Sequence, residues 1–251
     1  MRIYLSGINS LRAPIEQGEV DLSKLFALES FYSFQDWELA YIPRFRGFLL
    51  DSGAFTFMSA GAKHGSVDWL SYSDRYADFV RENGIRDYFE LDIDSLTGLA
   101  YVEQLRRRIE NRVGWQSIPV WHPGRGGQYW KDMCREYKRV AIGGIAAKER
   151  ARSAYERAFP SMLAIARKEG AKVHGLGYTD FGGLQRFRFD SVDSTTWLSV
   201  SRFHEVAKFS KDRVIRVVPR RMGKAIKSPS EALLFSFLEW QKYSEWAYRN
   251  L

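Results

Sequence analysis

Five aspartates and two histidines sit at or near the ends of short apolar runs. They are Asp51 in GFLLDSG (47–53), Asp92 and Asp94 in YFELDID (88–94), His122 in IPVWHPG (118–124), His174 in KVHGLG (172–177), and Asp190 and Asp193 in FRFDSVD (187–193). Gly143 and Gly144 close a further run, RVAIGG (139–144). A pair of carboxylates is the minimum set for splitting a glycosidic bond: one attacks or shields the anomeric carbon and the other moves the proton. The two need unlike surroundings, so that one stays ionised while the other can hold a proton. Taken singly, each aspartate also suits the cap of a following helix. Asp51 is followed by Ser-Gly-Ala-Phe, a small-residue turn that lets a ligand approach the backbone. Asp190 and Asp193 are three apart, which on a strand places them on opposite faces, so only one can face a shared pocket.

The runs themselves, with RIYLSG (2–7) as the first, are short, β-compatible and followed by turn formers. Their near-continuous apolarity predicts strands buried on both faces, as in a parallel sheet. Helical periodicity falls between them: Trp69, Tyr72, Tyr76 and Val80 within 66–84, with Ser66 as the cap; Leu99, Val102, Leu105 and Ile109 within 99–114; Trp130, Met133, Cys134 and Tyr137 within 127–139. A helix over 146–170 should break near Pro160. Ser228, Pro229 and Glu231 open a final helix, 228–250, apolar nearly all round, which would seal the fold or form a homodimer contact. Alternating strands and helices predict a (β/α)8 TIM barrel in one domain, 1–251, with an eighth strand within 203–218. A doubly wound sheet is disfavoured because no G-x-G-x-x-G follows the first strand. A barrel would gather the polar strand ends at one mouth.

The chain carries a formal net charge of +8, which suits a polyanionic partner. KDRVIRVVPRRMGKAIK (211–227) holds seven Lys or Arg against one Asp. Arg213, Arg216, Arg220, Arg221 and Lys224, with Arg186 and Arg188, are the expected track for nucleic-acid phosphates. The Arg106–Arg108 run reads as a solvated helix face. Cys134 is the single cysteine, so neither an internal disulfide nor a cysteine-rich zinc site is expected. Without a signal-like or membrane-spanning apolar run, the expectation is a soluble, cytoplasmic protein.

Several of these stretches together resemble the tRNA-guanine transglycosylase superfamily. LLDSGAF (49–55) resembles its D-S-G-G-[FY] turn, LDI (91–93) its base-recognition strand end, VAIGGIA (140–146) its V-A-[IL]-G-G-L-A signature, HGLGY (174–178) its M-G-[VI]-G turn, and RFDSVDSTTW (188–197) its M-F-D-C-V-x-P-T-R segment. The resemblance implies Asp190 as the nucleophile on C1′ and Asp51 as general acid/base. It implies a base pocket of Asp92, His122, Gly143, Gly144, Ile145 and His174, covered by Phe55. No cofactor is implied. The family's zinc subdomain has no counterpart here. That makes the chain most similar to the phage-encoded branch, which replaces guanine in DNA by a 7-deazaguanine derivative; the partners would be DNA and the free 7-deazapurine base. The alternatives are a zinc-free tRNA-guanine transglycosylase, a hydrolytic DNA or nucleoside glycosylase using the same carboxylates, and a non-enzymatic nucleic-acid-binding barrel.

Overall fold

A computed structural model describes residues 1–59, 67–144, 149–199, 205–210, 215–219 and 228–251. Seven parallel strands form one curled sheet: β1 (Arg2–Ser6), β2 (Phe26–Ser30), β3 (Gly47–Asp51), β4 (Val120–Trp121), β5 (Arg139–Ile142), β6 (Lys172–Gly175) and β7 (Ser191–Ser194), in the order β3-β2-β1-β7-β6-β5-β4. Parallel pairing turns every strand's carboxyl end to the same side. Register fixes which side chains become neighbours there: Ser30 stands beside Asp51, Tyr4 beside Asp193, and His174 beside Ser191.

The described residues form ten α-helices: α1 (Arg12–Glu16), α2 (Ala54–Ser59), α3 (Trp69–Glu82), α4 (Asp94–Thr97), α5 (Leu99–Val113), α6 (Gly126–Glu136), α7 (Glu149–Glu169), α8 (Phe181–Phe187), α9 (Thr196–Ser199) and α10 (Pro229–Asn250). The 3.6-residue pattern of α3 buries Trp69, Tyr72, Tyr76 and Val80, and that of α5 buries Val102, Leu105, Ile109 and Val113. A separate cluster fills the inside of the curl, with Tyr4, Phe26, Leu28, Leu49, Phe89, Ile118, Val120 and Ala141. The final helix starts with Ser228 Oγ accepting from Glu231 N–H at 3.1 Å and is tied to β1 by Ser244 Oγ–H to Ile3 O at 2.9 Å. Among the described residues no helix is long and apolar enough to cross a membrane.

Several expectations are corrected. The second strand, FALES (26–30), has no counterpart among the predicted runs because Glu29 interrupts its apolar pattern, yet Glu29 is buried. The region expected to supply an eighth barrel strand, 203–218, instead contains β8 (Glu205–Phe209) and β9 (Ile215–Pro219), which pair antiparallel with each other, outside the main sheet. There β8 packs on α10, where Ser236 Oγ and Glu239 accept from Ala207 and Phe209 N–H. The YFELDID run makes only single bridges, Leu50 with Tyr88 and Phe89 with Ile118. Ser66 lies outside the described residues, and Asp68 caps α3 by accepting from Ser71 N–H at 3.0 Å. Helix α7 runs unbroken through Pro160.

The most consequential correction concerns FRFDSVD. Phe187 ends α8, Arg188 turns in the left-handed region at φ 53°, and the strand begins only at Ser191. Asp190 therefore lies at the amino end of β7 and Asp193 near its carboxyl end.

Candidate active site at the strand carboxyl ends

Asp51 ends β3. It faces the same side as Leu49, which lies inside the curl, because alternate strand residues share a face. Its Oδ1 accepts from Gly53 N–H at 2.7 Å. Gly53 has φ 82°, and a Cβ there would meet Tyr32 Cβ at 2.5 Å, so this turn needs glycine. Burial pushes the Asp51 carboxyl up to about 6; the Gly53 N–H opposes the shift, while the charges of Asp193 and Asp92 add to it. Ser30, at the end of the neighbouring strand, also opposes the shift.

Asp193 reaches this mouth from β7. Its Oδ1 accepts from Gly177 N–H at 2.7 Å and lies 3.1 Å from His174 Nε2. Both contacts fall on one oxygen; among the described residues Oδ2 has no hydrogen-bond partner. His174 is 3% exposed, and its Nδ1 lies 2.9 Å from Ser191 Oγ, so the ring is held at both nitrogens.

Asp92 forms the third side. The backbone leaves strand geometry after Glu90, with Ile93 N–H bonding to Leu91 O at 3.0 Å. That bend swings Asp92 against His122, whose Nε2 lies 2.5 Å from Asp92 Oδ2. Burial alone would lower the His122 pKa, but the hydrogen bond and charge of Asp92, with Asp94, carry it above the usual value. His122 packs under the turn after β5: a Cβ on Gly143 would meet His122 Cε1 at 2.4 Å, and one on Gly144, at φ 75°, would meet Tyr155 Oη at 2.8 Å.

Arg125 binds this corner together. Its guanidinium donates to Asp92 at 3.1 Å, to Asp94 at 2.9 Å and to Glu90 at 2.7 Å. Glu90 is fully buried and also accepts from Arg106 at 3.0 Å and from Val120 N–H at 2.8 Å. Asp92, Asp94 and His122 could offer three ligand atoms within 4.8 Å of one another to a metal ion, but Arg125 already supplies the cation that two of them require.

Of the residues predicted from sequence, Asp51, Asp92, His122, Gly143, Gly144 and His174 gather at this end of the sheet, and Phe55 lies in α2 directly after the Gly53 turn. Ile145, Arg213, Arg220, Arg221 and Lys224 lie outside the described residues. Asp190 does not join Asp51. It is exposed at the opposite end, where its Oδ2 accepts from Val173 N–H at 2.8 Å, and Asp193 takes the place expected of it. Arg186 and Arg188 precede β7 and are exposed at that same opposite end, too far along the strands to hold phosphates beside the Asp51 mouth. Arg216 is exposed on β9. The Arg106–Arg108 run is not a uniform solvated face: Arg106 is buried on Glu90, and Arg108 makes two 2.7 Å bonds to Asp74. Sequence reasoning missed Glu90 and Arg125; the one available signal was an arginine inside the turn His122-Pro-Gly-Arg-Gly-Gly.

Comparison with protein-family models, with curated proteins and with solved structures found no match for this chain.

Proposed function

We propose that the protein is a glycosyltransferase that exchanges a purine base in nucleic acid, guanine in DNA for a 7-deazaguanine derivative, through a covalent aspartyl intermediate. The observation that carries this reading is the pairing of Asp51 with Asp193 at one mouth. Burial, and then the charge of Asp193, raises the Asp51 carboxyl to about 6, while among the described residues Asp193 Oδ2 has no hydrogen-bond partner. These are the unlike environments that two-step glycosidic chemistry requires.

In this reading Asp193, not Asp190, is the nucleophile. Its Oδ2 attacks C1′ as the C1′–N9 bond breaks, and Asp51 gives its proton to the departing guanine. The incoming base then loses its N9 proton to Asp51 and attacks C1′, releasing Asp193. Two displacements retain configuration. Asp92, oriented by His122 and Arg125, reads the purine edge, and Gly143 and Gly144 let the base lie close to backbone. A target inside a duplex must be extruded, at a cost of a few kcal/mol.

The same reading takes the segment around 88–90 as the eighth strand of a closed (β/α)8 barrel. Leu50 N–H bonds to Asp87 O and Phe89 N–H to Leu50 O on one side; Ile118 N–H bonds to Tyr88 O and Glu90 N–H to Ile118 O on the other. These bonds support closure between β3 and β4.

Incubating the protein with radiolabelled guanine and either DNA or tRNA tests the reaction. Label is expected in DNA; label in tRNA alone would make it a tRNA enzyme, and base release without incorporation a hydrolase. Asp193→Asn should abolish the adduct captured on a denaturing gel, whereas Asp190→Asn should leave it. The opposite outcome overturns the assignment.

A further inference from the structure

The amino-terminal side of the sheet carries a basic groove, whose first cavity reaches as far as His174. One cavity of about 190 Å³ there is lined by Arg2, Arg139, Lys172 and Asp190, and a second of about 890 Å³ by Arg86, Trp115, Lys138 and Arg139. They share Ile118 and Arg139, so they adjoin. Lys172 N–H bonds to Lys138 O at 2.9 Å, which sets these two lysines on adjacent strand starts. Arg2 N–H bonds to Asp190 O at 3.1 Å, which brings the chain just after Arg188 to the edge of the first cavity, and Arg167 donates to the carbonyls of Phe187 and Arg188.

The acidic groups lining this groove are Asp87, Glu136, Glu169 and Asp190. Asp87 is paired with Arg139, and Glu169 faces Arg135 at 3.7 Å. Arg2, Arg86, Lys138, Lys172 and Arg188 have no carboxylate within ion-pair distance among the described residues. The groove also offers flat surfaces: the Arg86 guanidinium lies 4.5 Å from the Trp115 ring centroid, and Tyr248 is 45% exposed.

We infer that this groove is a second contact surface for the sugar–phosphate backbone of a nucleic acid, separate from the mouth that holds Asp51 and Asp193. Cationic side chains lining the concave track outnumber its carboxylates six to four and suit the regular charge of the polymer, and ring faces at its edges accept bases without reading them. The surface goes beyond the base-exchange reading and does not depend on it. It also gives Arg188 a role that its distance from the mouth otherwise denies.

The test is fluorescence anisotropy with a labelled oligonucleotide over a salt titration. Arg2→Glu/Lys172→Glu/Arg188→Glu should weaken binding by about tenfold or more and reduce the log–log salt slope by roughly two to three. A control with the same change in net charge on outer helix faces, Arg107→Glu/Lys131→Glu/Arg157→Glu, should bind within about twofold of the parent. Asp193→Asn, which removes the proposed nucleophile, should lose exchange while keeping the parent's salt slope, so a failure of the chemistry and a failure of this surface read differently. Should the glutamate triple lose its far-ultraviolet circular dichroism, the glutamine triple is measured instead and should lower the slope in the same direction. Equal loss in the control, an unchanged slope in the groove variant, or loss of binding to anionic lipid vesicles with oligonucleotide binding intact would overturn the proposal.

Discussion

His174 Nε2 lies 3.1 Å from Asp193 Oδ1, and its Nδ1 lies 2.9 Å from Ser191 Oγ, so a single buried ring spans most of β7 and fixes its carboxylate. His174 is a positioning residue under the proposed mechanism. His174→Ala should lower kcat by about 10- to 100-fold with a smaller change in KM, because an error of about 1 Å at a reacting atom costs on that order. His174→Gln, which can still hydrogen-bond to Asp193, should recover part of the loss. Single-turnover kinetics on both variants checks this; equal losses would assign the ring a packing role only.

Asp51 combines its role in the proposed mechanism with a cost in stability. Its folded pKa of about 6 stands above the ordinary aspartate value of 3.8. A raised carboxyl contributes stability that is complete below the unfolded pKa and is lost as pH rises through the folded one. Asp51→Asn should therefore abolish exchange yet gain about 1–3 kcal/mol at pH 7 relative to pH 4, discounting the full shift for partial solvent contact. Urea denaturation at the two pH values measures it. The exchange rate of the parent should fall above about pH 6, as Asp51 loses the proton that the departing base needs.

Glu29 shows the same linkage away from the mouth. It is 3% exposed, accepts from Ile8 N–H at 2.7 Å, and is raised by burial and then by Glu38 from 4.5 to about 8. The protein should lose stability as pH rises from about 4.5 through about 8. Glu29→Gln keeps the carbonyl acceptor and removes the charge. Its advantage should be small at pH 4.5 and grow to about 2–4 kcal/mol by pH 9. A constant offset between the two proteins across that range would contradict the shift.

Gly143 is a steric test of the proposed base pocket. A methyl there would lie 2.4 Å from His122 Cε1 and 2.7 Å from Val120 Cγ1. Gly143→Ala should displace the imidazole from Asp92, raise KM for the base, and return the His122 pKa toward its ordinary value. Nuclear magnetic resonance titration of the histidine gives the answer; an unmoved titration would show that the ring does not yield.

Arg125 is 1% exposed at its side chain and is ion-paired with Glu90, Asp92 and Asp94 at once. Arg125→Met should destabilise the fold by about 3–5 kcal/mol, because removing one partner leaves buried charge unpaired. Arg108→Met, whose ion pair with Asp74 is exposed, serves as the control and should cost far less. Chemical denaturation of both variants compares them.

The helices were legible because their signal is local. A 3.6-residue apolar period, a serine cap or a glycine stop lies within a few residues of the element it defines, and α3, α5, α6 and α10 follow their patterns closely. Asp51, Asp92, His122 and His174 were legible for a related reason: each ends an apolar run, and parallel strands send such ends to one side. The strand FALES was not legible, because its buried Glu29 is tolerated only where Ile8 N–H meets it from another part of the chain.

The choice between Asp190 and Asp193 lay beyond the sequence. Both follow apolar residues, and the resemblance favoured the first. What decided it was the end of α8: Phe187 packs in the helix, Arg188 turns the chain, and the strand starts four residues later than its apolar pattern suggests. Strand register, a property of pairing with β1 and β6, then carries Asp193 to the mouth and leaves Asp190 at the far end. The buried ion network of Glu90, Arg106 and Arg125 was likewise decided only by tertiary structure. Its members lie 16 and 35 residues apart along the chain, and a charge is recognisable as buried only when its distant partner is in place.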